Sequence, residues 1–95
     1  MAKTKYTMIV YLRVSESSEL KELLKENKFM IVVHDVITNE YHDDDEELIS
    51  RIMDSNRDLR FLCMYNEDVL LPQEIIRRID NDPSVITFTI DKRTE

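Results

Sequence analysis

The chain has 95 residues, of which 42% are hydrophobic and 35% are charged, and this composition predicts one small folded domain rather than a disordered segment. Its net charge of −7 at pH 7 disfavours direct binding to nucleic acid or to anionic membrane surfaces, because both carry negative charge. Glycine is absent, which excludes the glycine-rich loops that hold phosphate groups in nucleotide-binding domains.

The first part of the chain predicts a strand, a helix and a second strand. Residues Lys5–Val14 are rich in β-branched and aromatic residues and alternate in the manner of a strand. Leucines at helical spacing among Glu and Lys predict a helix from about residue 16 to 27, with Ser15 as its cap. The nearly continuous apolar run Phe29–Ile37 predicts the second strand, with cover on both faces.

Residues 40–49, EYHDDDEELI, place five consecutive carboxylates before an apolar pair. Asp43 or Asp44 suits the N-cap position, and Glu46 and Glu47 follow three residues later, as in a capping box. Negative charge is also favourable at the positive end of the helix dipole. The stretch therefore predicts the start of a helix from about residue 44 to 57.

The last part of the chain predicts a strand, a helix and a strand. Leu59–Tyr65 is the third predicted strand, and Pro72 opens a helix that ends before Pro83. Val85–Ile90 alternates as a fourth strand, and Lys92–Glu95 are expected to form a short tail.

The predicted order β-α-β-α-β-α-β fits two architectures of a single α/β domain over residues 1–95. We favour a four-stranded, ferredoxin-like split β-α-β sandwich with an extra helix; the alternative is a mostly parallel sheet, half of a doubly wound fold. In the sandwich, one face of the sheet would lack helices and would leave four side chains uncovered, those of Ile9, Tyr11, Val32 and Cys63. Either the middle helix or a second subunit is expected to cover this face, so a homodimer through the open sheet face is one expectation.

The negative charge is concentrated in residues 29–50, which contain seven Asp and Glu and no Lys or Arg. Concentrated charge beside an apolar patch is typical of a surface that docks on a basic protein. The favoured function is therefore a non-enzymatic interaction domain without a cofactor. It would act as a modulator or inhibitor of a basic partner protein, and nucleic-acid-binding proteins are one class of such partners. The expected contact residues are Glu40, Asp43, Asp44, Asp45, Glu46 and Glu47.

Two other functional classes stay open. In a parallel sheet, one edge would gather the carboxylates of Asp35, Glu67, Asp68 and Asp91, which predicts a small divalent-metal-dependent enzyme or ligand-binding protein. His34 and Asp35 do not predict a local metal site, because neighbouring residues of a strand point to opposite faces. The third class is a homo-oligomeric structural protein that uses the open sheet face.

The sequence also predicts where the chain acts. Its apolar runs are far shorter than the roughly 20 residues needed to span a bilayer, and its N-terminus lacks a signal-peptide core. A cytoplasmic location is expected. The single cysteine, Cys63, cannot form an intramolecular disulfide and is interpreted as a packing residue rather than a nucleophile.

Overall fold

A computed structural model of the chain describes residues 3–53 and 58–94, without the side chains of residues 52 and 53. The described residues form one α/β domain with five strands and three helices. In chain order these elements are β1 (Thr4–Arg13), α1 (Ser18–Glu26), β2 (Met30–Asp35), β3 (Glu40–Asp43), α2 (Glu46–Met53), β4 (Leu59–Glu67), α3 (Gln73–Asp80) and β5 (Val85–Thr94).

The five strands form one sheet in the order β3-β2-β4-β1-β5, and all neighbouring strands are antiparallel. The predicted fold class is therefore wrong. The four-stranded, ferredoxin-like split β-α-β sandwich has too few strands, and the alternative of a mostly parallel sheet has the wrong strand directions.

The strand missing from the prediction is β3, which forms a hairpin with β2 and places His42 opposite Val33. The turn depends on Asp35, whose Oδ1 accepts hydrogen bonds from the backbone N–H groups two and three residues later, at 3.0 and 3.2 Å. Asn39 completes the turn at a φ of 57°. Asn tolerates this left-handed conformation better than most residues, so the hairpin closes without glycine.

The hydrophobic core lies between one face of the sheet and the three helices, and each buried aliphatic side chain contributes about 1.5–3 kcal/mol. Alternate residues of the three inner strands supply its sheet side: Met8, Val10, Leu12, Ile31, Val33, Leu59, Phe61, Cys63 and Tyr65. The helices supply Leu20 and Leu24 from α1, Ile49 from α2 and Ile79 from α3.

The opposite face of the sheet, called the open face below, carries no helix in the described part of the chain. Ile9, Tyr11 and Val32 lie on it, but Cys63 is fully buried on the helix side. The expectation for Cys63 was wrong because both alternating series of β4 are apolar, and the series Phe61-Cys63-Tyr65 faces the helices. The middle helix does not cross to the open face either, since its Ile49 is buried in the core.

The C-terminal end of α1 shows how the chain turns without glycine. The N–H of Phe29 donates to the carbonyl of Leu24 at 3.0 Å, and the N–H of Lys28 donates to that of Lys25 at 3.3 Å. These two bonds form a Schellman motif, in which the left-handed position is usually glycine. Lys28 occupies it at a φ of 68°, which costs an L-residue about 1 kcal/mol.

Several predicted boundaries shift. Helix α1 begins at Ser18, and its N-cap position is held by Ser17 rather than Ser15, without a side-chain cap. The predicted end of the middle helix, residues 54–57, lies outside the described residues. The expected tail is mostly strand, because residues 92–94 continue β5 and pair with β1. Within the described ranges, no helix is long and apolar enough to cross a membrane.

Candidate interaction surfaces

The six predicted contact residues lie along the β3 edge of the sheet and the start of α2. Glu40 and Asp43 belong to β3, and Glu46 and Glu47 form the first turn of α2. Five of the six are exposed, and we call this set the acidic edge: Glu40, Asp43, Asp45, Glu46 and Glu47.

Asp44 differs from its neighbours because it points into the protein. Its Oδ1 lies 2.7 Å from Nζ of Lys21 and its Oδ2 lies 2.6 Å from Nζ of Lys25, while the Asp44 side chain is only 8% exposed. Burial disfavours the charged form of Asp44, but hydrogen bonds from the two lysines outweigh burial and lower its pKa. The hydrogen bond to Asp44 also raises the pKa of Lys25. Asp44 is thus engaged internally, and we remove it from the contact set.

Lys21 is the unexpected member of this network, because the sequence places it on the exposed face of a helix among other charges. Its side chain is 9% exposed, and its ammonium group lies 4.5 Å from the centre of the Phe61 ring. The aromatic face and the carboxylate of Asp44 together compensate a charge that burial would otherwise destabilise. No local signal marks this pair, since the partners are 23 residues apart.

Asp45 has a structural role in addition to its exposure. Its Oδ1 accepts a hydrogen bond from the backbone N–H of Glu47 at 3.0 Å, and its carbonyl accepts one from Ile49 at 2.9 Å. Asp45 is therefore the N-cap of α2. The predicted caps, Asp43 and Asp44, lie two residues and one residue before it. The N-cap is Asp45 and not Asp44, because the carboxylate of Asp44 is paired with Lys21 and Lys25.

Apolar side chains lie directly beside the acidic edge. An open groove of about 440 Å³ is lined by Val32, Tyr41, His42, Asp43, Asp45 and Leu48. The ring of Tyr41 is exposed and stacks on the ring of His34 at a centroid distance of 4.6 Å. The edge thus combines negative charge with aromatic and aliphatic contact area.

The carboxylates of the alternative metal site are not gathered at one edge, because the sheet is antiparallel. Asp35 ends β2 opposite Leu59, at one end of the sheet. Glu67, with Asp68 next to it, ends β4 at the other end, where Asp91 also lies, opposite Thr7 of β1. Among residues 3–53 and 58–94, no three His, Cys, Asp or Glu side chains are close enough to hold a metal ion.

His34 and His42 are also separated, because they lie on opposite faces of the sheet. His34 lies on the open face, where its Nδ1 is 2.5 Å from the hydroxyl of Tyr11 and its Nε2 is 2.8 Å from Oδ1 of Asn39. His42 belongs to the other alternating series, and its Nε2 lies 3.7 Å from Glu40. The two imidazoles therefore lie on different faces of the sheet. The aromatic cluster that His34 forms with Tyr11 and Tyr41 was not predicted from the sequence.

Cys63 lies in the core with a relative exposure of 0%. Burial raises the pKa of its thiol to about 12, and the nearby carboxylate of Asp44 acts in the same direction. A thiol with this pKa is almost entirely protonated near neutral pH, so Cys63 has none of the thiolate character of a nucleophile.

Comparisons of the chain with protein-family models, with curated proteins and with solved structures found no match.

Proposed function

We propose that this chain is a non-enzymatic interaction domain that docks on a basic surface of a partner protein through its acidic edge. One observation supports the proposal above the others: the five carboxylates of the edge are exposed together, and within the described residues none forms an ion pair with Lys or Arg. Elsewhere the exposed charges are often paired locally, as Arg78 is with Asp82 at 2.6 Å.

The fold needs only one of the five carboxylates of the acidic edge, and the other four are available to bind a partner. One carboxylate at the start of a helix is stabilised by the dipole and by capping, and Asp45 fills that role. The remaining four repel each other, and a cationic surface would relieve that repulsion and speed the encounter. A nucleic-acid-binding protein is the partner class that fits best, because its binding surface is built to receive closely spaced negative charges.

The groove beside the acidic edge supplies apolar contact area that a partner can bury. Rim charges mainly control association rate and orientation, while affinity depends on buried anchors. Tyr41 is 58% exposed and lies beside Leu48 and Val32, so a partner can bury an aromatic ring here together with aliphatic area. The protein acts in this proposal as a modulator or inhibitor in the cytoplasm.

The test compares two variants that remove the same number of charges. The edge variant carries Glu40→Gln, Asp43→Asn, Glu46→Gln and Glu47→Gln, and it keeps Asp44 and Asp45 because these two stabilise the fold. The control variant carries Glu19→Gln, Glu22→Gln, Glu26→Gln and Glu74→Gln, all exposed and none of them part of the acidic edge.

Partners are captured from cell lysate by chemical crosslinking and mass spectrometry, and the affinity of each purified partner is then measured at low and high salt. We expect the wild type and the control variant to bind the same basic protein with an affinity that falls as salt rises, and the edge variant to lose it. Equal binding by the edge variant, or binding insensitive to salt, would refute the proposal.

A further inference from the structure

Strand β5 forms the edge of the sheet opposite β3, and within the described residues no strand pairs with its outer side. We call this outer side the β5 edge. Eight of the ten residues of β5 are exposed, and Val85–Ile90 carry no charge. Proteins usually protect an edge with charges, proline, bulges or short strands, because its free N–H and C=O groups can pair with another strand. Between the bulge at its start and the charges at its end, the β5 edge has no such protection.

The hydrogen bonds of β1 show which backbone groups of β5 are free. The N–H of Arg13 donates to the carbonyl of Ser84 at 2.9 Å, so the backbone groups of Arg13 point towards β5. Because these groups alternate in direction along a strand, those of Ile9 also point towards β5, where Ile9 lies opposite Thr89. Thr89 therefore directs its backbone groups to β1, and the residues on either side of it direct theirs outward.

The residues on either side of Thr89 are Phe88 and Ile90. Their side chains lie on the helix side of the sheet, since they are opposite Val10 and Met8, which belong to the core. Phe88 packs partly against the core, whereas Ile90 is 47% exposed. The β5 edge therefore combines free hydrogen-bonding groups with exposed apolar area.

The sequence of β5 is complementary to itself when two copies run antiparallel with Thr89 opposite Thr89. Phe88 of each copy then lies opposite Ile90 of the other, and Thr87 lies opposite Asp91. Aromatic residues opposite β-branched residues, and threonine opposite threonine, are favourable cross-strand pairs. All pairs of this register between residues 87 and 91 are free of like charges.

The neighbouring two-fold registers are less favourable. A centre at Ile90 places Phe88 opposite Lys92, and a centre at Asp91 places two carboxylates opposite each other, which is destabilising. A centre at Phe88 brings Val85, beyond the bulge, opposite Asp91. The register centred on Thr89 is therefore the one that the side chains select.

The other edge of the sheet offers β5 much less. Strand β3 has four residues, and the N–H of Asn39 donates to the carbonyl of Asp35, so the outward backbone groups of β3 are those of Tyr41 and Asp43. The carbonyl of Asp43 already accepts a hydrogen bond from the N–H of Asp45 at 2.9 Å. Of the two edges that the described residues form, only β5 can give β5 a continuous partner.

We propose that β5 pairs antiparallel with β5 of a second copy of the chain, which joins the two sheets into one. The two-fold axis passes between the two Thr89 residues, perpendicular to the sheet, so the helices of both copies lie on the same side. Each pair of Phe88 and Ile90 exchanges two backbone hydrogen bonds. The acidic edges lie at the two far ends of the joined sheet, so this pairing does not rest on the proposed function.

The first test is sedimentation of the full chain at low and high protein concentration. The interface is small, so we expect a reversible dimer that forms at high concentration. Ile90→Ala and Ile90→Pro both shorten the side chain, but only proline removes the outward N–H. The proline variant should dimerise at least about 5-fold more weakly than the alanine variant, because the symmetry removes the hydrogen bond twice. Circular dichroism checks that both variants fold. A monomer at every concentration, or equal dimerisation of the two folded variants, would overturn the proposal.

The second test determines the register by disulfide formation. Opposite residues of a non-hydrogen-bonded pair have Cα atoms about 4.5 Å apart, within the range of about 4.4–6.8 Å that a disulfide spans. Under mild oxidation, Thr89→Cys should form a disulfide with the same residue of a second copy. Thr87→Cys is the matched control on the same side of β5, because its two copies would lie about 13 Å apart. The buried Cys63 leaves the wild type unreactive. Absence of a disulfide from Thr89→Cys, or a faster one from Thr87→Cys, would overturn the arrangement.

Discussion

Asp44→Asn tests whether the buried ion network stabilises the fold. The substitution keeps the size of the side chain but removes the charge that compensates Lys21, whose side chain is 9% exposed. The amide cannot accept from two ammonium groups as a carboxylate does, so a buried cation is left without its counter-charge.

The expected loss follows from the geometry. Removing one partner of a buried ion pair costs about 3–5 kcal/mol, because the remaining charge stays desolvated. The contact with Lys25 adds less than about 1 kcal/mol, since Lys25 is 42% exposed and solvent screens it. A domain of this size has a total stability of about 5–14 kcal/mol, so the variant should lose at least about a fifth of it.

Urea unfolding followed by circular dichroism measures the free energy of unfolding, with Asp43→Asn as the control because it removes an exposed charge from the same run.

The pH dependence of the free energy of unfolding gives a second readout. The pKa of Asp44 is below its ordinary value of 3.8 in the folded protein, so its contribution is complete above that value and is lost as the pH falls through the folded-state pKa. The variant should lack this part of the acid transition. A loss below about 1 kcal/mol, no larger than that of Asp43→Asn, would refute the reasoning, since exposed substitutions change stability by about 0.5 kcal/mol.

Three further predictions concern other parts of the fold. Lys28→Gly should stabilise the protein by about 0.5–1 kcal/mol in thermal unfolding, because glycine removes the strain of the left-handed position, whereas Lys28→Ala should give no gain. Cys63 should react with a thiol reagent only when the protein unfolds, so rapid labelling of the native protein would contradict its burial. Asp82→Ala should cost about 1–3 kcal/mol in urea unfolding, since the carboxylate accepts bonds from the N–H and hydroxyl of Ser84 and pairs with Arg78; an unchanged midpoint would count against this.

The sequence predicts those elements whose signals are local. The alternation in β1, the leucine spacing of α1 and the proline boundaries of α3 all reflect neighbours along the chain, and the structure contains each of these elements. Strand β3 was missed because its four residues, EYHD, are mostly polar and run into the acids of α2. The one available signal was Asn39, which suits a left-handed turn residue between two strands.

The candidate site was predictable only in outline. Its carboxylates are visible as a run, but their separation into one internal and five exposed groups depends on Lys21, which lies on another element. The open face could not be delimited, because Leu62 and Met64 are as apolar as Phe61 and Cys63. Period-two alternation identifies two faces of a strand but does not show which of two apolar faces the helices cover.

Strand β1 extends two residues beyond the end of its neighbour β4, and this affects how the amide protons of the molecule exchange. From Tyr6 onwards β1 is hydrogen-bonded on both sides, but Thr4 and Lys5 pair only with the end of β5. A two-stranded ribbon is marginally stable by itself, so these amides should exchange with solvent through local opening. The amides around Val10, held between β4 and β5, should exchange only when the whole domain unfolds.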